Sequence, residues 1–127
     1  GGAEIQNIKT ADGSPIYEVV ARKAAVEWNS NGNVLLVAGA THPDELRRIR
    51  DIVSAMTLLI PGIGAQGGEI SAMIESARGG GVIISSSRAV NYAGTGADFA
   101  AAARAAAQGT RDAINNALYA ICKDIRA

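Results

Sequence analysis

Pro61-Gly62-Ile63-Gly64-Ala65-Gln66-Gly67-Gly68 lies between an apolar run, Thr57-Leu58-Leu59-Ile60, and a helical pattern from Glu69 to Ala77 that carries Ile70, Met73 and Ile74. A strand, a glycine-rich loop and a helix in that order make one β-α unit. The glycines let the backbone turn with positive φ and bring its N–H groups close to a ligand. The start of the following helix adds unpaired N–H groups and the positive end of its dipole, so the segment is built to hold an anion. Gln66 is the one long polar side chain in it.

Working outward, the same unit recurs on both sides. Upstream, Val34-Leu35-Leu36-Val37-Ala38-Gly39 is a continuous apolar run, as expected of a strand covered on both faces. Thr41-His42-Pro43-Asp44 follows, with Thr41 expected as N-cap, Pro43 in the first turn and Asp44 beside the helix dipole. The helix it opens is expected to run to about Ser54 with Leu46, Ile49, Ile52 and Val53 inward. Downstream, Val82-Ile83-Ile84-Ser85 leads into Ser86-Ser87-Arg88, and a loop through Tyr92 to Gly96 precedes a long alanine-rich helix with an expected irregularity at Gly109. An earlier helix is expected from Pro15 to about Asn29, with Val26 and Trp28 widening its apolar face.

The order is therefore one helix and then β-α three times, which means parallel strands joined by crossovers. Strand ends recur every 21 to 25 residues or so, near the compact limit for (β/α) units. Three strands do not close a barrel, and as an open sheet they leave long apolar edges. Residues 1–127 are expected to form a single partial domain of something larger. The opening Gly1-Gly2-Ala3-Glu4 carries no initiator Met, which leaves a tag remnant and the interior of a longer protein both open.

Composition narrows the function classes. Hydrophobic residues make up 48% and charged residues 19%, which reads as globular. Twelve basic residues balance twelve acidic ones, an argument against nucleic acid or an anionic membrane as partner. Aromatics at 4% argue against a base-stacking platform. The single cysteine, Cys122, is read as a small buried hydrophobe on the last helix and fits a reducing compartment. No apolar run nears the ~20 residues a bilayer span needs, and the N-terminus lacks a signal-peptide pattern. The expected location is cytoplasmic.

Ser85-Ser86-Ser87-Arg88 ends the strand next to the glycine segment, where three hydroxyls and a guanidinium suit a phosphate. In (β/α)8 barrels a phosphate site commonly lies in the loops after the seventh and eighth strands. Gly62 to Gly67 also fits G-x-G-x-x-G, the dinucleotide fingerprint. Ser87-Arg88 stands about 20 residues on, unsuited to NAD but tolerable for the 2′-phosphate of NADP. An NADP-binding oxidoreductase is thus the competing reading. His42 is the only histidine and is read as a solvated loop residue, with substrate contact on the phosphate face as the alternative, shared by Thr41. Lys9 and Asp12 sit in a polar opening segment and are assigned no role. No Cys/His cluster suggests a metal and no Ser/His/Asp set is evident.

Gly39-Ala40-Thr41-His42-Pro43, Leu59 through Gly68, and Ser86-Ser87-Arg88-Ala89 together resemble the orotidine 5′-phosphate decarboxylases, in the bacterial and archaeal branch called type 2. The opening Gly1 to Gln6 is similar to that branch just after its fifth strand. The resemblance covers nearly the whole chain. It implies a (β/α)8 TIM barrel of which strands six, seven and eight are present, and decarboxylation of orotidine monophosphate to UMP without metal or cofactor. It implies that Gln66 and Arg88 grip the substrate phosphate, with backbone N–H groups at Gly67, Gly68 and Ser87 assisting and Gln66 reaching toward the pyrimidine. It further implies a homodimer when the barrel is complete. That family's catalytic Asp-x-Lys-x-x-Asp set belongs to the third strand, so no catalytic residue is assigned to this chain, and the missing N-terminal barrel portion becomes an expected partner. A non-catalytic phosphate-binding half-barrel that works with another chain stands beside this reading. Ser85 stands where the family commonly has Asn, and the tail Tyr119-Ala120-Ile121-Cys122 carries no motif of that family.

Overall fold

The computed structural model describes residues 2–62 and 67–124. Two short opening helices, α1 (Ala3–Gln6) and α2 (Ile16–Lys23), are joined by a tight polar segment, and α2 continues into a π-helical turn, Ala24–Trp28. Three β-α units come next: β1 (Leu36–Val37) with α3 (Pro43–Val53), β2 (Leu58–Pro61) with α4 (Gly67–Ala77), and β3 (Val82–Ser85) with α5 (Arg88–Asn91) and α6 (Phe99–Asp124). The strands lie in chain order, β1-β2-β3, and both pairs are parallel.

Register sorts the strand side chains into two kinds of row. Leu36, Leu58 and Val82 are cross-strand neighbours, and one residue further on so are Val37, Leu59 and Ile83. The first row, with Ala38, Ile60 and Ile84, joins the core built with Leu46 of α3 and Ile70, Met73 and Ile74 of α4. Leu58 and Ile60 are fully buried. On the second row Val37 is 68% exposed and Ile83 49%, with Leu35 beside them at 48%. Apolar side chains therefore face both ways, as the uninterrupted apolar runs require, but only the helical face is covered.

At the end of the sheet where the strands begin, one charged side chain organises the connections. Arg50, 4% exposed on α3, donates from Nε to the Ala77 carbonyl at 2.8 Å, from one terminal nitrogen to Ser54 and Met56 at 2.6 Å each, and from the other to Gly81 at 3.0 Å. These carbonyls end α3 and α4 and lead into β2 and β3. The guanidinium thus satisfies groups that helix ends leave without partners, at the negative end of two dipoles. Burial lowers its pKa from the ordinary value, yet arginine stays charged in proteins. Gly80 must be glycine for this, because a Cβ there would collide with a terminal nitrogen of Arg50.

Several expectations are corrected. The first strand pairs over two residues, because the Val34 N–H is taken by the Asn29 side chain at 2.9 Å. Pro15 caps α2 from outside it. The π-helical turn swings its own later residues off the buried face, so Val26 and Trp28 are exposed, Trp28 at 54%. Cys122 is exposed. Gly109 lies within a continuous α6, and α1 and α5 are short helices where the sequence reading set no element. Met73 is core, as expected.

Candidate functional site: the loops after the three strands

Because the strands are parallel and in register, their C-terminal ends share one edge, and so do the segments that leave them. Residues 38–42 leave β1, Gly62 begins the connection from β2 to α4, and Ser86-Ser87 leave β3. The Gly62 N–H donates to the Ser85 carbonyl at 3.1 Å, one step past the last paired residues of the ladder. This bond ties the start of the glycine segment to the strand end three residues before Arg88. Gly62 itself has φ +83°, in the left-handed region that favours glycine. Gln66, the side chain expected to bridge phosphate and base, lies outside the described residues.

α4 begins at Gly67-Gly68, so the N–H groups of its first turn belong to those glycines and their successors. Ser87 stands just before α5; its carbonyl accepts from Asn91 N–H at 2.8 Å, and its hydroxyl caps nothing. Arg88 opens α5 with its side chain exposed. Among the described residues it has no carboxylate partner, which leaves all five guanidinium N–H groups for an anion.

On the β1 side of the same edge, His42 rather than Thr41 occupies the cap position of α3. It acts through its carbonyl, which accepts from Leu46 N–H at 3.0 Å, and no side chain caps the helix. Pro43 fills the first turn. Thr41 and His42 are both exposed and line a cavity of about 630 Å³ that also touches Gly2, α2 and β1. Lys9 and Asp12 belong to the turn before α2. Lys9 bridges Pro15, and the Asp12 carboxylate accepts from the Thr10 hydroxyl and the Ser14 N–H. The Thr10 bond first, then the Ser14 N–H, lowers the Asp12 pKa. Among the described residues no three His, Cys, Asp or Glu side chains gather as metal ligands, and no helix is long and apolar enough to cross a membrane. The edge can therefore present backbone N–H groups, hydroxyls and one guanidinium to an anion, while the described residues offer it no general acid-base pair.

No family model matches the chain. Among curated proteins it is 55% identical over 118 residues to an orotidine 5′-phosphate decarboxylase of Azoarcus sp. (strain BH72), a match that takes in 91% of this chain and 43% of the relative. A protein of the same name from Aromatoleum aromaticum is 52% identical over 118 residues, 91% of this chain and 44% of that one. Among solved structures, Leishmania donovani OMP decarboxylase superposes with a TM-score of 0.68 at 33% identity, over 90% of this chain and 43% of that chain. Leishmania donovani UMP synthase gives 0.67 at 36% identity, over 90% and 25%. The chain thus spans less than half the length of the curated relatives it matches. Its three-stranded parallel sheet and helices form a partial (β/α) barrel.

Proposed function

We propose that the chain is the phosphate-gripping part of an orotidine 5′-phosphate decarboxylase, the last three β-α units of a barrel whose other units supply the catalytic Asp and Lys side chains. The observation that carries this reading is the coincidence of two things. The chain is 51–55% identical over 118 residues to several proteins of that name, and its glycine segment is hydrogen-bonded to the strand end that leads to Arg88. In this reading Arg88 makes a forked contact to the substrate phosphate. Backbone N–H groups of Gly67 and Gly68 and of Ser87 complete the cradle, and Gln66 bridges toward the pyrimidine. Thr41 and His42 face the same site from the β1 side.

Such a site holds the nucleotide by a group that does not react. Binding energy gathered at the phosphate is then spent on placing the pyrimidine against catalytic groups contributed by the rest of the barrel. The reaction as read here needs no cofactor, and the complete protein is taken to be a cytoplasmic homodimer. The test is calorimetric titration of UMP into a completed barrel containing this chain. Arg88→Ala should weaken binding by about 10- to 150-fold, the ~1.5–3 kcal/mol of a hydrogen bond to a charged group. Unchanged UMP affinity in that variant would remove Arg88 from the site.

A further inference from the structure

We infer that Gly39, just past the end of β1, lets a nucleobase lie against the strand ends and so limits the size of base the site admits, an inference that rests on the phosphate reading proposed above. Glycine is ordinarily required where the backbone takes a positive φ or where a neighbour leaves no room for a Cβ. Gly39 meets neither condition. Its φ lies outside the left-handed region, and a Cβ there would meet nothing within 4 Å among the described residues. Alanine would suit the folded chain and restrict the unfolded one, so glycine at 39 costs stability without serving the fold of this chain. The remaining use of a bare Cα is close approach by a ligand or by another backbone.

Register says which of the two it is. Ala38 is buried and its N–H donates to the Leu59 carbonyl at 2.9 Å, so the ladder runs on past Val37. Alternation then sets Gly39 on the side of Val37, the face that α3 and α4 leave uncovered. Extending the β1-β2 register brings it level with Pro61, which pairs with Ser85. One layer back on that face stand Val37, Leu59 and Ile83, the bulky branched side chains that fill barrel interiors. At the edge that carries the phosphate loops the layer becomes Gly39, Pro61 and Ser85, and filled volume gives way to space. Neighbouring strands lie about 4.8 Å apart, so the ends of β1 and β3 stand roughly 10 Å from each other. With a phosphate on Arg88, beyond β3, a nucleotide laid across the strand ends brings its ring to the β1 side, over Gly39. Thr41 and His42 line one cavity with Gly39, so polar groups adjoin the bare position.

The experiment titrates UMP and ribose 5-phosphate into a completed barrel containing this chain, unmodified and with Gly39→Leu, Gly39→Ala or Arg88→Ala. Ribose 5-phosphate carries the sugar and phosphate without the base. Gly39→Leu should weaken UMP about tenfold or more while ribose 5-phosphate stays within about twofold. Gly39→Ala should act in the same sense by a smaller factor, at a thermal midpoint no lower than that of the unmodified protein. Unchanged UMP affinity in both Gly39 variants would overturn the inference. Equal loss of the two ligands would overturn it as well, because it would mark Gly39 as a packing position against the rest of the barrel. Should leucine prevent folding, the alanine variant decides alone. Arg88→Ala should weaken both ligands. Ribose 5-phosphate bound equally well by that variant would remove the phosphate reading, and UMP against ribose 5-phosphate would still decide the role of Gly39.

Discussion

Replacing Arg50 with methionine keeps most of the length and apolar stem of the side chain and removes four hydrogen bonds to carbonyls of the α3–β2 and α4–β3 connections. Acceptors left without partners away from water cost ~1 kcal/mol or more each, so Arg50→Met should lower stability by about 4 kcal/mol in urea unfolding. Arg50→Lys should recover little, because a single ammonium has no fork with which to reach Ala77, Met56 and Gly81 together. A loss below ~0.5 kcal/mol, the range of ordinary surface changes, would show that the bonds are replaceable by water. Nothing in the pattern around position 50 announces this role. Arg47, Arg48 and Arg50 look alike in sequence, and only the meeting of α3's last turn with Gly79-Gly80-Gly81 selects one of them. The position of Arg88 just past a strand end was legible for the opposite reason: strand ends are visible in the residues.

At the level of elements, the β-α alternation was readable because it depends on local periodicity. The misreadings fall where a distant or competing partner decides. Asn29 takes the amide of Val34 and shortens β1. A π-helical turn rotates Trp28 outward in a way no 3.6-residue period foresees. Gly109 was expected to interrupt α6, but alanines surround it, and their helix propensity carries the backbone through at a cost of ~1 kcal/mol. A Cβ at Gly109 would meet nothing within 4 Å. Gly109→Ala should therefore raise stability by about 1 kcal/mol, seen as a higher urea midpoint with an unchanged slope. A destabilised variant would mean that α6 is bent or in contact there.

For the molecule as a whole, one sheet face is sealed by α3 and α4 and the other carries Leu35, Val37 and Ile83 in the open. The sequence revealed that three strands were too few for a barrel. It did not reveal which apolar residues would stay uncovered, since strands buried on both faces read the same on each. The isolated chain should bind the dye ANS through this face, as exposed apolar surface does, and lose that binding when the barrel is completed. Release of labelled CO2 from orotidine monophosphate should be at background with the chain alone and appear only with the remaining units. Turnover by the chain alone would overturn the division of labour proposed for the two parts.

The Arg50 clamp and the loops proposed to hold phosphate occupy opposite ends of β2 and β3. Entry into β2 and β3 is fixed at one end by bonds that do not involve the residues leaving β3 at the other. This separation predicts that the residues leaving β3 behave as an exchangeable cassette. Libraries that vary residues 86–88 should keep their thermal midpoints while their preference among phosphorylated ligands drifts, which is the condition under which new specificities are found one substitution at a time.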